Sequence, residues 1–285
     1  METILSLQSW VAYGHVGNAA ALFPLQRSGA EVIAVNTVQF SNHTGYGMWT
    51  GAALDGAAVQ VLVDGIAAQG VLASVDAVLS GYLGDPAVLH AVLDAVDRVR
   101  AANPRALYCC DPVIGDIGPG VYVRPGVLDA LRDRAIPAAD VLTPNHFELA
   151  TLTGLVVTTL AETVRAAQVL RQRMRPGATV LVTSMVVDDT LADAVDMLAV
   201  SDAGSWRLRT PRLAIAVNGA GDVTAALFLL HTLRTRDLAR ALSAAGSAVY
   251  GLLRKTLHAG QRELAIVAAQ DEFLTPSAWF HAEPC

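Results

Sequence analysis

Late in the chain, a glycine pair opens an apolar helical stretch in the run Gly219-Ala220-Gly221-Asp222-Val223-Thr224. Glycines let backbone N–H groups converge, and a helix N-terminus adds partial positive charge, so the pattern suits phosphate oxygens. Asp222 is out of place in a simple anion hole. A carboxylate among such amides has a use when it takes a proton from a hydroxyl attacking a phosphorus that those same amides hold. Helix capping is the competing reading, because Asp before a helix is a preferred cap and Gly-x-Gly a plain loop. The hexapeptide alone leaves both open. It is not a dinucleotide fingerprint, since it comes late, lacks the third glycine and follows no clear βαβ start.

Three further carboxylates stand where acidic groups could hold a divalent cation through oxygen or water: Asp111, Asp116 five residues on, and Glu148 in the next unit. The plainer alternative makes Asp111-Pro112 a strand terminator and Glu148 a first-turn helix acid favoured by the dipole. Joint placement on one edge with Asp222 favours a metal–nucleotide site. Aromatic residues are only 6% of the chain, yet Trp10, Tyr13, Phe40, Tyr46, Trp49 and Tyr82 all fall in the segments that follow the first three expected strands. That clustering suits a flat ligand between rings, with Ser9, His43 and Thr44 as polar contacts, or core packing, Trp10 and Phe40 most readily. Gly118-Pro119-Gly120-Val121-Tyr122 reads as a loop able to close over phosphates, or as a surface turn.

Other chemistry is excluded. Of the 20 basic residues only Lys255 is a lysine; it follows Arg254 in a helical stretch, so there is neither a P-loop nor a well-placed Schiff-base lysine. No H-E-x-x-H, G-x-S-x-G or C-x-x-C occurs. Cys109-Cys110 lacks the spacing of a zinc site and reads as small apolar core.

The elements that position these residues alternate between short β-rich runs and Ala/Leu/Val-rich helices, the pattern of a parallel sheet covered on both faces. Strands are expected at Thr3–Leu7, Glu31–Asn36, Ala77–Ser80, Ala106–Cys110, Val141–Thr143 and Ala178–Thr183. Helices are expected at Asn18–Ser28, Asp55–Ala68, Pro86–Ala102, Gly126–Arg134, His146–Thr153 and Ala161–Met174. A hairpin, Ala194–Val200 with Trp206–Thr210, and helices at Asp222–Arg234, Leu238–Thr256 and Arg262–Phe273 complete the chain. In such sheets ligands sit beyond the carboxyl ends of the strands, and here those segments are polar and glycine-rich. No linker divides the 285 residues, so one domain, 1–285, is expected.

The net charge of −6 offers no basic field for nucleic acid. The charge-free stretches Thr3–Gln26 and Val32–Leu54 are broken by Gln, Asn, His and Pro, so no bilayer crossing is expected. A start at Met1-Glu2-Thr3-Ile4 without basic residues, and three cysteines, suit a cytoplasmic protein.

With these residues in place, the chain resembles pyridoxal kinases of the ribokinase superfamily over nearly its full length. The resemblance rests on Gln8-Ser9, Tyr13-Gly14-His15-Val16-Gly17-Asn18, Asn36 to Tyr46, Ser80-Gly81-Tyr82, Cys110 to Asp116, Thr143 to Glu148, and Gly219 to Asp222. The Asp-Pro-Val and Gly-x-Gly-Asp elements belong to the superfamily, whereas Phe40-Ser41-Asn42-His43-Thr44-Gly45-Tyr46 is specific to pyridoxal kinases.

The resemblance implies an α/β ribokinase-like three-layer sandwich, its mostly parallel sheet flanked by helices on both faces. It implies ATP-dependent phosphorylation of the 5′-hydroxymethyl group of pyridoxal to pyridoxal 5′-phosphate in vitamin B6 salvage, by a homodimer using Mg²⁺ and a monovalent cation. Asp222 would be the general base and Gly219, Ala220 and Gly221 the anion hole. Ser9, Thr44 and Gly45 would contact the pyridoxal substituents and Tyr82 its ring. Asp111, Asp116, Thr143, Glu148, Thr183 and Ser184 would handle ATP and its cations, with Asp111 and Glu148 toward Mg²⁺ and Tyr122 as a lid tyrosine. Pro211-Arg212-Leu213 would touch adenine. Some bacterial members place a lysine where this chain has Thr183-Ser184, so contact there would be by hydroxyl. Hydroxymethylpyrimidine kinases share fold and chemistry and supply the alternative substrate; a catalytically silent vitamer-binding protein is the alternative of another class.

Overall fold

The computed structural model describes all 285 residues. The chain opens with β1 (Thr3–Val11), α1 (Asn18–Arg27) and β2 (Glu31–Phe40), then a 3₁₀ turn at Thr44–Tyr46 and a short strand β3 (Gly51–Ala53). Next come α2 (Gly56–Ala68), β4 (Ala77–Ser80), α3 (Val88–Ala102) and β5 (Leu107–Cys110). A small flap of β6 (Gly115–Asp116) and β7 (Gly120–Val121) leads into α4 (Val127–Ala130), a π turn at Leu131–Ala135 and α5 (Ile136–Ala138). The rest runs β8 (Val141–Leu142), α6 (His146–Thr153), α7 (Leu160–Arg171), β9 (Thr179–Met185), β10 (Ala194–Ser201), β11 (Gly204–Pro211), α8 (Ala220–Thr235), α9 (Leu238–His258) and β12 (Glu283–Pro284).

Ten strands form one sheet in the order β12-β11-β10-β9-β8-β5-β4-β1-β2-β3. The six from β2 to β9 are parallel, and β3, β10, β11 and β12 add antiparallel edges. Because side chains alternate across a strand, each buried strand feeds two cores. Leu5, Leu7, Val78, Cys110, Val180 and Val182 face α2, α3, α6 and α7. Ile4, Ala77, Leu79, Cys109 and Leu181 face α1, α8 and α9. The result is the three-layer, ribokinase-like arrangement. The adjacent cysteines point to opposite layers, both fully buried, as expected of apolar core residues.

Strand order reverses at β1, which has β2 on one side and β4 on the other, so the crevice opens at their carboxyl ends. A buried polar knot holds that corner. The Ser6 hydroxyl donates to Asn18 Oδ1 at 2.7 Å, and Asn18 Nδ2 donates to the Val35 carbonyl and to Asn36 Oδ1, both at 3.0 Å. Asn18 thereby ties the start of α1 to both strands.

Most expected elements fall within a residue or two of the observed ones, with three corrections. Gln8–Val11 and Thr37–Phe40, read as post-strand loops, continue β1 and β2, because β1 pairs with β2 as far as Val11 and Phe40 after a register shift between Gln8 and Trp10. The helix expected over Gly126–Arg134 passes through a π turn before ending at Ala138. The helix expected over Arg262–Phe273 is absent; only Gln270–Phe273 makes a 3₁₀ turn. Three consecutive residues there, Leu264, Ala265 and Ile266, are buried, and the Ala265 N–H is taken by the buried Thr256 hydroxyl at 3.0 Å. A regular helix would turn part of that triplet to solvent. No helix is long and apolar enough to cross a membrane.

The polar knot makes a direct prediction. Asn18→Ala strands the partners of a fully buried amide and should cost about 2–3 kcal/mol of unfolding free energy in urea titrations. An unchanged urea midpoint would mean the knot is not under tension from burial.

Candidate active site

The cleft at the carboxyl edge has a volume of about 310 Å³, at the lower end of the range for small-molecule sites. β1 contributes Ser9 and Val11, and β2 contributes Val38 and Phe40, each pair two residues apart and so on one face. Tyr82 follows β4, its carbonyl held by the Thr37 hydroxyl at 2.6 Å. His43 and Thr44 come from the turn after β2.

At the other side Asp111 follows β5 and Thr143 follows β8; the Thr143 hydroxyl donates to Asp111 Oδ1 at 2.9 Å. Glu148 lies at the third position of α6 in a reciprocal capping box with Asn145, each contact 2.8 Å. Its other oxygen accepts the Ile114 N–H at 2.8 Å and the Gly115 N–H at 3.4 Å. Glu148 therefore caps α6, as the first-turn reading expected, and at the same time faces the cleft. Thr183 reaches the site because it bridges to Asn145 beyond the end of β8. Ser184 follows at φ +52°, left-handed for a non-glycine, where the pairing of β9 with β10 shifts register. The bulge lets two successive residues line one cleft.

Gly219 is the N-cap of α8, with φ +88°, and Asp222 occupies the third helical position. The capping reading of Asp222 is thus overturned. Its half-buried carboxylate lies against the backbone N–H groups of Gly17 and of Asp222 itself. Burial pushes the Asp222 carboxyl up to about 6, against the pull of those two donors. Burial, joined by the charges of Glu148 and Asp222, holds Asp111 well above the ordinary carboxylate range, with the Thr143 hydroxyl opposing. Burial raises Glu148 to about 7 despite its three backbone donors. Tyr122, after β7 on the flap, closes one wall, and burial beside these carboxylates raises its phenol above the usual range.

The lining includes Ser9, Thr44, Tyr82, Asp111, Asp116, Tyr122, Thr143, Glu148, Thr183, Ser184, Gly219, Ala220, Gly221 and Asp222. Gly45 is next to it in the 3₁₀ turn. Pro211, Arg212 and Leu213 lie outside it, where the Arg212 N–H donates to the Asp193 carbonyl at 2.7 Å. Of the six early aromatics only Phe40 and Tyr82 reach the cleft. Trp49 packs on Phe40 with ring centroids 4.3 Å apart, and Tyr13 pairs with Tyr46 at 6.3 Å. Val16, Val113, Asn145, Val217 and Asn218 join the lining without having been singled out. Val38 was also missed; its signal was the two-residue period, hidden by ending β2 at Asn36.

No three His, Cys, Asp or Glu side chains gather as a self-sufficient metal cage. Asp111 and Glu148 instead present two carboxylates to the cleft, the number that could hold a Mg²⁺ ion whose shell is completed by water and phosphate oxygens. Chemically, the cleft joins a glycine-flanked helix start, a carboxylate beside it and an acidic pair opposite, an arrangement that suits phosphoryl transfer to an alcohol.

Comparison with known proteins agrees. Residues 29–266 match the family model described as phosphomethylpyrimidine kinase. The chain is 57% identical over 284 residues to pyridoxal kinase PdxY of Granulibacter bethesdensis, covering 99% of both chains. It is 54% identical to pyridoxal kinase PdxY of Deinococcus radiodurans, covering 99% of this chain and 96% of the relative. The structure superposes on pyridoxal kinase from Leishmania donovani in complex with ADP and pyridoxamine with TM-score 0.92, at 30% identity and with 100% of each chain covered. A strand edge that assembles Asp222, the Gly219–Gly221 amides and the Asp111–Glu148 pair, in a chain so close to these relatives over its whole length, belongs to the pyridoxal kinase family of the ribokinase superfamily.

Proposed function

We propose that the chain, as one kinase domain over 1–285, transfers the γ-phosphoryl of ATP to the 5′-hydroxymethyl of pyridoxal, forming pyridoxal 5′-phosphate, with Asp222 as general base. The observation that carries the residue roles is Asp222 inside the cleft, three positions into α8, directly after the Gly219–Gly221 amides. A hydroxyl placed against Asp222 would be within reach of a phosphoryl group held by those amides. The base removes the hydroxyl proton as the oxygen attacks phosphorus, and the amides and helix dipole meet the charge on the transferring group.

The β1–β2–β4 side takes the vitamer. Ser9, Thr44 and Gly45 meet its polar substituents, and Tyr82 and Phe40 cover its ring. The β5–β8–β9 side takes the nucleotide through Asp116, Tyr122, Thr143, Thr183 and Ser184, with Pro211-Arg212-Leu213 toward adenine. Asp111 and Glu148 would hold Mg²⁺, which when bound neutralises phosphate charge. The homodimer, the cytoplasmic location and a monovalent-cation site belong to the same proposal. The description of the matched family model keeps one second reading alive, the same chemistry on a hydroxymethylpyrimidine.

Purified protein with Mg-ATP should convert pyridoxal to its 5′-phosphate with a higher kcat/KM than it shows for hydroxymethylpyrimidine. The reverse ranking would move the substrate to the pyrimidine. Asp222→Asn should lower kcat by about 10²–10⁴-fold with the KM for pyridoxal nearly unchanged. Because the base must be ionised, kcat should fall as pH drops through about 6, and a flat profile there would exclude Asp222 as the titrating base. Asp111→Asn should behave oppositely on two axes. Asparagine removes a carboxyl whose ionisation burial and its acidic neighbours oppose, so at neutral pH it should raise the Tm of the ligand-free protein by about 2–4 °C, while activity with Mg-ATP falls. A lower Tm would mean that the carboxylate is needed for folding.

A further inference from the structure

Glu263 belongs to the segment whose expected helix is missing. Its carboxylate accepts the His15 backbone N–H at 2.8 Å through one oxygen and the Tyr46 hydroxyl through the other. Those two donors lie on different loops, one after β1 and one after β2. The fit is close: a Cβ at Gly14, where φ is +98°, would lie 2.5 Å from a Glu263 carboxylate oxygen, so Gly14 leaves room for that side chain. The neighbouring Arg262 places its guanidinium over the same Tyr46 ring, 5.1 Å from its centre. The bond to Glu263 pushes the Tyr46 phenol up to about 12, so the hydroxyl stays a donor.

The far end of the β1 loop is clamped as well. A Cβ at Gly219 would collide with the His15 carbonyl oxygen, and the Gly17 N–H lies against Asp222. The segment carrying Glu263 is itself rigid, because Leu264 and Ile266 are each 1% exposed and Ala265 is bonded to Thr256 of α9. Leu264 also packs at Gly219, within 3.2 Å of the position a Cβ would take. One buried segment therefore touches both vitamer-side loops and the start of α8.

We propose that Glu263 is a positioning residue for the vitamer half of the site, a carboxylate latch that fixes the Gly14–Gly17 loop and the His43–Tyr46 turn in register with each other and with the start of α8. It rests on the functional reading above and deepens it. Glu263 is not among the cleft-lining residues, so it acts through His15 and Tyr46 rather than on substrate. Loosening the latch frees Thr44 from its position against the vitamer, while the nucleotide side, built on β5, β8 and β9, keeps its own hydrogen bonds.

The test is steady-state kinetics with pyridoxal and ATP varied separately, alongside Tm. Glu263→Ala should raise the KM for pyridoxal about tenfold or more and leave the KM for ATP within about twofold. Glu263→Gln, which keeps an acceptor for one of the two donors, should recover part of that loss. Tyr46→Phe removes a single hydroxyl and serves if Glu263→Ala fails to fold. It should also raise the KM for pyridoxal selectively, and adding it to Glu263→Gln should cost less than the sum of the two. Equal rises in both KM values, additive effects, or a pyridoxal KM changed less than about twofold in Tyr46→Phe would overturn the latch. An unchanged pyridoxal KM in Thr44→Ala would instead remove the vitamer-side assignment on which the latch depends.

Discussion

A backbone-on-backbone contact between opposite ends of the chain underlies the whole site. The His15 carbonyl, on the loop after β1, presses against Gly219 at the start of α8 so closely that a Cβ there would collide with it. Only a glycine in the left-handed region, here at φ +88°, admits that approach. The contact sets where α8 begins, so Asp222 falls at its third position and meets the Gly17 N–H. Gly17 in turn leaves no room for a Cβ against Ser9, which brings the vitamer-side strand to the same point. The Asp222 carboxylate, the Gly219–Gly221 amides and Ser9 are thus brought to one point by a pair of glycine approaches.

Around that point the electrostatics are unusual. No lysine or arginine lines the cleft, while Asp111, Asp116, Glu148 and Asp222 all do. The single lysine of the chain, Lys255, lies 3.5 Å from the buried Glu272 and outside the cleft. On the proposed function, phosphoryl charge would be met by backbone amides, a helix dipole, hydroxyls and a metal ion. The raised carboxyl groups are the cost of keeping acidic side chains inside a poorly solvated crevice. A cleft without amines also offers its aldehyde-bearing vitamers no partner for a Schiff base.

Structural and functional roles coincide here more than they compete. Glu148 completes the capping box of α6, receives two amides from the segment after β5 and still faces the cleft, so it is both a first-turn helix acid and a candidate for cation binding. Asp222 went the other way, because Gly219, not Asp222, is the N-cap of α8. The crowded aromatics divided: Phe40 and Tyr82 entered the cleft, and Tyr46 became a strut for Glu263.

Alternating buried runs and helices made the layered parallel sheet legible from residue order alone, because periodicity is a local property set by which faces must be apolar. The same holds for the acidic and glycine-rich segments after the strands, which follow from where such sheets bind ligands, and the substrate itself was legible only through the motif Phe40–Tyr46. Strand ends were not legible, since the last residues of β1 and β2 are held by pairing with each other and not by their own propensity. Nor was the bulge at Ser184, which depends on the register of β9 against β10. The Arg262–Phe273 segment has helical composition, and a single tertiary bond to Thr256 with three buried neighbours outweighs it. Local order thus determined fold class and chemistry, and tertiary structure alone decided which distant backbone groups, His15 against Gly219 and Glu263 beneath both loops, would meet to place that chemistry.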